Sequence, residues 1–568
     1  MNKVKKLLSA AILYVTMSAF CFASGPESTV RVPGSSIPES YIREHLQELA
    51  KRSGKTVQFI SGRDGASPRA IEMESTAMTA VGTAMKNLKK TYVGNNFYGP
   101  NPPALNKTIG SFCAACVWYE LLFGEDPSTI DYTPPHMEQE PDRVEIAHLC
   151  AHAACISPSK PVSVNRMYTP ANLDESKVLP YTLPDPLVTS DGKRVRNSRQ
   201  WMRTRRPELL ELFETEMFGR APGRPADLHF ETLYRDEEAL GGKAVRKEVK
   251  VHFDDSGEHY LRLLVYTPKD ADGPVPTFLG VNFKGNHAVS FDEGILLPDE
   301  RDLKAWGYSE MYERGDAAGR WPVEMIVGAG YGMATFYRAD VDPDYDDVFE
   351  NGVHPLFYRE GQNYPDPDEW GTIAAWAWGL SRALDYLETD ADVDARRVAV
   401  IGHSRLGKTA LWAAALDSRF AMAVSNNSGN CGAALSRRRF GETILKVNRH
   451  RPQWFCDNFL KYNDNEDSLP FDQHELIALI APRPVYVASA TLDLNADPLG
   501  EFLALKESSP VFRLFGLKGL EGVEMPAPDT PVGDGVLGYH IRTGGHDICE
   551  YDWEQYLKFA DRHLRSRR

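Results

Sequence analysis

Beyond residue 170 the chain alternates between two hydrophobic periods. "HYLRLLVYTP" (259–268) alternates apolar and polar positions, and "VPTFLGVNF" (275–283) is a short β-rich apolar run ending in a glycine-containing turn. "YGMATFYR", "RVAVIG", "MAVSNNSG", "RPVYVASA" and "YHIRTGG" repeat the short-strand pattern further on. Between them the period lengthens. In "WGTIAAWAWGLSRALDYL", Ile373, Trp376, Ala377, Leu380, Leu384 and Leu387 recur at helical spacing. A helix is likewise expected from Leu406, and "WEQYLKFADRHL" reads as a closing helix. Strands separated by helices of this length predict an α/β fold, a mostly parallel sheet with helices on both faces. In such a sheet, function gathers at the carboxyl ends of the strands.

The opening segment follows another pattern. "MNKVKKLLSAAILYVTMSAFCFASG" carries Lys3, Lys5 and Lys6, an apolar run, and small residues at Ala23-Ser24. Residues 1–23 are therefore expected to be a secretory signal peptide, which places the protein in the periplasm or outside the cell. A lipid anchor on Cys21 fits less well, because bulky Phe20 stands where a small residue is wanted. No later run is long and apolar enough to span a bilayer. Residues 26–158 read as an accessory domain, 159–175 as a Pro- and Ser-rich linker, and 176–568 as the main domain. With 64 basic against 79 acidic residues the net charge is −15, which argues against nucleic acid or an anionic membrane as partner. Of the eight cysteines, Cys21 leaves with the signal. The odd remainder leaves at least one free thiol and no complete disulfide framework.

The candidate chemistry sits in "RRVAVIGHSRLGKTALWAAAL" (396–416). Ser404 follows a β-branched strand and opens a helix, with Gly402 allowing a sharp turn, as in a nucleophile elbow. The second glycine of G-x-S-x-G is displaced: Leu406 takes its place and Gly407 comes one residue later. A plain strand–helix turn with Ser404 as cap has the same local pattern. What separates the readings is whether a base and an acid follow. His546 stands after the last strand, behind two glycines and before the final helix. Asp493 follows the strand "PVYVASA", with Asp497 four residues on. That order, Ser then Asp then His, is the order of the α/β-hydrolase arrangement. The other histidines fit worse: His474 lies in a helical stretch, His540 within a strand, and His403 is expected to point away. Arg405 offers a backbone N–H and a guanidinium to a developing oxyanion. Lys408, one turn after Ser404, is expected to share its helix face and to suit sugar hydroxyls or a product carboxylate. The alternative for Lys408 is a solvated helix surface.

Several motifs in one order carry a resemblance: "GHSRLGK", "NNSGNCGAALSRRRFGET", "QWFCDNF", "LPFDQHELIALIAPRPVYVASA" and "GGHD". Over residues 170–568 the chain resembles the bacterial glucuronoyl esterases of carbohydrate esterase family 15. The family's G-x-S-R-x-G-K pattern contains the displaced glycine. The resemblance implies an α/β-hydrolase fold, no cofactor and no metal, and cleavage of esters between 4-O-methylglucuronate on xylan and lignin alcohols. It also implies Ser404 as nucleophile, His546 as base, Arg405 as oxyanion stabiliser, and Lys408 and Glu442 as ligands of the uronate ring. Two positions depart from the family. Asn427 stands where many members carry the catalytic Glu, so the acid is expected at Asp493, a site that some bacterial members use. Asn495 stands where many carry a sugar-stacking Trp, and weaker or altered substrate binding is expected there. The fungal cysteines beside the serine and the histidine are replaced by His403 and Asp547.

In the accessory segment, "LNKTIGSFCAACVWYELLFGEDP" resembles the C-terminal end of SGNH-type hydrolases, with Asn101 and Ala104 in place of the Asp-x-x-His pair. This implies a truncated remnant without a triad. "HLCAHAAC" places His148 and His152 on one helix face beside Cys150 and Cys155, but no further ligand pair follows, so no metal is expected. The chain is thus expected to be an exported, monomeric serine esterase acting on plant cell-wall glucuronoxylan–lignin esters. The rival readings are another carbohydrate esterase of acetyl xylan type and a carbohydrate-binding protein with a decayed triad.

Overall fold

The structure, a computed structural model, describes residues 28–565 apart from 92, 95, 100–103, 138–140, 163, 165–170 and 308–310. The expected signal peptide, Cys21, Asn101 and part of the expected linker lie outside the described residues. The described chain forms two compact units. The first takes residues up to 87 with 111–134 and 142–164, and segments 88–110 and 135–141 group with the second.

In the first unit, strands β1 (Thr29–Pro33) and β2 (Thr56–Ile60) pair in parallel, with helix α1 (Ser40–Arg52) connecting them. Helices α2 (Pro68–Lys89), α3 (Ile109–Phe123) and α4 (Pro141–Ile156) follow. Helix α3, apolar apart from Ser111 and Glu120, buries Cys113, Cys116, Val117 and Tyr119.

The second unit is built on a nine-stranded sheet of order β11-β10-β9-β8-β6-β7-β5-β4-β3. Its strands are β3 (His229–Glu238), β4 (Ala244–His252), β5 (Tyr260–Pro268), β6 (Val275–Asn282), β7 (Gly332–Tyr337), β8 (Val393–His403), β9 (Met422–Asn426), β10 (Val485–Ala490) and β11 (Leu537–Arg542). From β6 and β7 through β11 the pairings are parallel. Strands β3, β4 and β5 are antiparallel, and β5 joins the rest by an antiparallel pairing with β7. The expectation of a mostly parallel α/β sheet holds. The edge hairpin β3–β4 was not read from the sequence, because β3 ("HFETLYRDEE") is polar and half-exposed along its length.

Every residue of β6 is buried, the burial expected of a central parallel strand covered on both faces. On one face, helices α5 (Thr372–Leu387) and α6 (Arg405–Leu416) pack Trp376, Leu380, Leu411 and Trp412 against Val398 and Val400. On the other, helix α8 (Glu550–His563) packs Trp553, Tyr556 and Phe559 against Ala399 and Ile401. Helix α7 (Pro498–Arg513) follows β10. The alternation along β8 decides which side chains at its end face which layer. No helix of the described residues is long and apolar enough to cross a membrane. The seven described cysteines are all free.

Candidate active site

Ser404 stands between the end of β8 and the first turn of α6, with φ 58° and ψ −131°. A non-glycine residue in that region is strained, and the surrounding turn holds the serine in that conformation at its tip. The turn needs its glycines. A Cβ on Gly402 would lie 1.8 Å from the Leu406 carbonyl oxygen, so α6 doubles back directly over it. A Cβ on Gly407 would meet Ser428 Cβ at 3.0 Å and the Gly402 oxygen at 3.1 Å. The displaced glycine therefore still serves the close helix-to-strand packing, while Leu406 turns into the core.

Asp493 and His546 lie just beyond the ends of β10 and β11. The His546 Nδ1–H donates to Asp493 Oδ2 at 2.5 Å. The same oxygen accepts from Asn427 Nδ2 at 2.9 Å. Burial pushes the Asp493 carboxyl up, but the hydrogen bond and charge of His546, with the Asn427 amide, more than offset it and hold the group below the usual aspartate range. Asp493 thus remains an acceptor, which fixes the proton on Nδ1 and leaves Nε2 basic. Asp497 serves elsewhere, accepting from Arg438 Nε at 2.7 Å. Among the described contacts no hydrogen bond joins the Ser404 hydroxyl to the imidazole. The two residues are linked through His403, whose ring centroid lies 4.6 Å from that of His546.

That position corrects the expectation that His403 points away from the site. Side chains alternate along β8, so His403 continues the face of Ala399 and Ile401, towards α8 and the loop that carries His546. Its ring is buried, and its Nδ1–H donates to Asn426 Oδ1 at 2.6 Å. His474 and His540 are engaged elsewhere, His474 with the Pro184 carbonyl and His540 with Asp552 and Tyr486.

Arg405 is held by a carboxylate that the sequence reading missed. Asp344 Oδ2 accepts from Arg405 Nη1 and pairs with Arg338 Nη1 at 2.7 Å, while Oδ1 accepts from Trp454 Nε1 at 2.8 Å. The Arg405 guanidinium lies 4.9 Å over the Trp454 ring and 5.8 Å from that of Phe283. A cation over aromatic faces with one shared carboxylate keeps a fixed heading.

Lys408 is not a solvated surface residue. Its ammonium is buried and donates to the Ser428 and Asn430 carbonyls, both at 2.6 Å, and to Glu442 Oε2 at 3.3 Å. What it offers the site is chiefly a fixed Glu442, not three open donors. The Glu442 N–H donates to the Asn495 carbonyl at 3.0 Å, so these two expected substrate ligands share one rim. Asn495 is exposed there. Gly441 permits the approach: with φ 65°, its Cβ would meet the Asn495 oxygen at 2.4 Å. Trp454, within the quoted "QWFCDNF", supplies an aromatic ring 5.9 Å from Lys408 Nζ.

With this geometry in hand, the similarities to known proteins take on meaning. A family model described as "Glucuronyl esterase, fungi" matches residues 317–516. A carbohydrate esterase, MZ0003, from an unknown prokaryotic organism is 50% identical over 400 residues, 69% of this chain and 92% of the relative. This chain belongs to the glucuronoyl esterases of carbohydrate esterase family 15. The solved glucuronoyl esterase from Solibacter usitatus is 48% identical, with a TM-score of 0.66, over 69% of this chain and all of that one. A promiscuous esterase of the same family from a marine bacterial metagenome is 49% identical, with a TM-score of 0.64, over 70% and 100% of the two chains. The 4-O-methyl-glucuronoyl methylesterase 1 of Wolfiporia cocos is 25% identical over 60% of this chain and 74% of its own. The fold is accordingly that of the α/β-hydrolases, and the protein is an esterase.

Proposed function

We propose that this esterase cleaves (4-O-methyl)glucuronoyl esters of lignin alcohols on glucuronoxylan, by a serine mechanism that uses Ser404, His546 and Asp493. The observation that carries the reading is the His546 Nδ1–Asp493 Oδ2 hydrogen bond at the carboxyl edge of the sheet that presents the strained Ser404. The names of the curated relatives and solved neighbours support the substrate class.

The steps follow from the groups in place. The Ser404 hydroxyl closes on His546 Nε2, gives up its proton and bonds to the ester carbon, while the carbonyl electrons move onto oxygen. The Arg405 N–H and guanidinium face that charge, and the imidazolium is stabilised by Asp493. The oxyanion then collapses, the bond to the alcohol breaks, and the proton on Nε2 passes to the leaving oxygen. Water, deprotonated by His546, attacks the acyl-enzyme and releases the uronic acid and Ser404. Glu442, fixed by Lys408, accepts from ring hydroxyls beside Trp454, and Asn495 adds a polar contact at the rim. We also propose export through residues 1–23 and action as a monomer.

The test compares benzyl glucuronate with an acetylated sugar. Turnover of the glucuronate ester, lost in Ser404→Ala, supports the proposal. Turnover of the acetate alone assigns an acetyl esterase. Retained uronate binding with turnover of neither ester assigns a binding protein.

A further inference from the structure

His546 is the least restrained member of its triad. It follows Gly544 (φ 136°) and Gly545, and its side chain is 45% exposed. Among the described contacts one hydrogen bond, from Nδ1 to Asp493, holds the ring, and it leaves this half-exposed side chain room for a small rotation about Cβ–Cγ. Nε2, the atom that must meet the serine proton, moves with that rotation. A second contact is needed to set the ring plane, and the packed ring of His403 is placed to supply it.

His403 is itself held on several sides. Its side chain is buried, and its ring meets Phe283 edge-on, with centroids 6.1 Å apart and planes at 77°. Its Nδ1–H donates to Asn426 Oδ1, and Asn426 Nδ2 donates onward to the Tyr556 hydroxyl at 2.8 Å. Asn426 and Tyr556 are fully buried, so the chain of donors starts from a rigid part of the core. Against this ring lies that of His546, 4.6 Å away and tilted by 44°. His403 also precedes Ser404 in the chain.

We propose that His403 is a positioning residue for the esterase: its ring sets the plane of the His546 imidazole and ties the base to the elbow that carries Ser404.

The surrounding charges keep His403 suited to the task. Burial pushes its pKa well below the usual histidine range, and His546, Arg320 and Arg542 press the same way, against the Asn426 hydrogen bond. Arg320 pairs with Asp547 at 2.7 Å and Arg542 with Asp552 at 2.9 Å. His403 therefore stays neutral when His546 takes the serine proton, and sets no second positive charge beside the imidazolium. In the fungal pattern of the sequence resemblance a cysteine pair falls at 403 and 547, whereas the ring contact here joins 403 to His546 itself and is not covalent.

The inference rests on the serine mechanism proposed above but not on the identity of the acid half of the ester. The test therefore uses two substrates, benzyl glucuronate and p-nitrophenyl acetate, with the full-length protein. His403→Ala is expected to lower kcat about tenfold to a hundredfold on both esters, with KM changed by less than about twofold. His403→Phe keeps a ring while losing the Asn426 hydrogen bond, and is expected to recover most of the rate. The low-field proton resonance of the His546 Nδ1–H, identified by its loss in Asp493→Asn, is expected to broaden in His403→Ala and stay sharp in His403→Phe. His403→Leu fills the volume without a ring and replaces the alanine variant should that one fail to fold. Unchanged kcat in folded Ala or Leu variants overturns the proposal. So does an equal loss in Phe and Ala or Leu variants, which would assign the effect to the Asn426 hydrogen bond. Wild-type turnover of the acetate without the glucuronate would overturn the substrate proposal while leaving this comparison intact.

Discussion

Asn427 Nδ2 donates to Asp493 Oδ2 over 2.9 Å, onto the same oxygen that receives the His546 Nδ1–H. The side chain that replaces the family's usual Glu is thus not a blank. It orients the acid supplied by the neighbouring strand. Asp493→Asn is expected to cost about a thousandfold or more in kcat, because the amide no longer stabilises the imidazolium. Asn427→Ala removes one oriented donor and is expected to cost about fivefold to tenfold. Steady-state kinetics on benzyl glucuronate measures both, and a larger loss in the Asn427 variant would contradict this ranking.

Arg405 and Trp454 meet on Asp344, which also pairs with Arg338. Asp344→Asn removes the negative charge that the described contacts place on Arg405 and releases the guanidinium beside the serine. kcat/KM is expected to fall by about tenfold to a hundredfold. Arg405→Lys is expected to lose a comparable amount, since an ammonium neither lies flat on Trp454 nor keeps the planar fork. Retention of wild-type kcat/KM in the lysine variant would remove the guanidinium from the mechanism.

The two glycines of the elbow differ in what they exclude. A methyl at 402 would run into backbone, and one at 407 would press on a serine side chain and a carbonyl at 3.0–3.1 Å, inside ordinary contact distance but within reach of a small shift. Gly402→Ala is therefore expected to destabilise the fold by more than about 3 kcal/mol, and Gly407→Ala by about 1 kcal/mol. Urea unfolding monitored by tryptophan fluorescence checks the order.

Glu501 lies fully buried on α7, accepting from Ser489 Oγ at 2.6 Å and from the Gly429 N–H at 2.9 Å. Burial pushes its pKa up to about 8, with Asp493 and Asp497 adding to the rise against its hydrogen bonds. The folded protein thus binds a proton that the unfolded chain releases near pH 4.5. This contribution is fully present below pH 4.5 and falls as pH rises towards about 8, by at most about 1.4 kcal/mol for each pH unit. Glu501→Gln is expected to flatten that part of the stability curve, so the variant gains on the wild type between pH 5 and 8. Thermal unfolding across that range measures the difference, and parallel curves would contradict it.

The parts of this site that were legible in the sequence are those with a local signature. Ser404 announces itself by a strand, two glycines and a helix start. Asp493 and His546 are found because each follows an apolar strand, in the order that the sheet imposes. Asp344 has no such signature. It lies 61 residues before Arg405 and 110 before Trp454, and only the folded sheet brings the three together. The burial of Lys408 was equally hidden, since two of its three acceptors are backbone carbonyls. The heading of His403 was within reach: counting by twos from Ala399 and Ile401 puts it on the α8 face. The polar edge strand β3 was invisible because its outer face has little to bury.

Strands β9 and β10 are neighbours in the sheet, with Asn426 opposite Ala488 and the Asn427 N–H bonded to the Ala488 carbonyl at 2.7 Å. Positions 427 and 493 therefore meet through one carboxylate oxygen, from adjacent strand tips. The proposed acid is thus braced by a donor from the neighbouring strand tip, so that two strands share the work of holding one carboxylate in place.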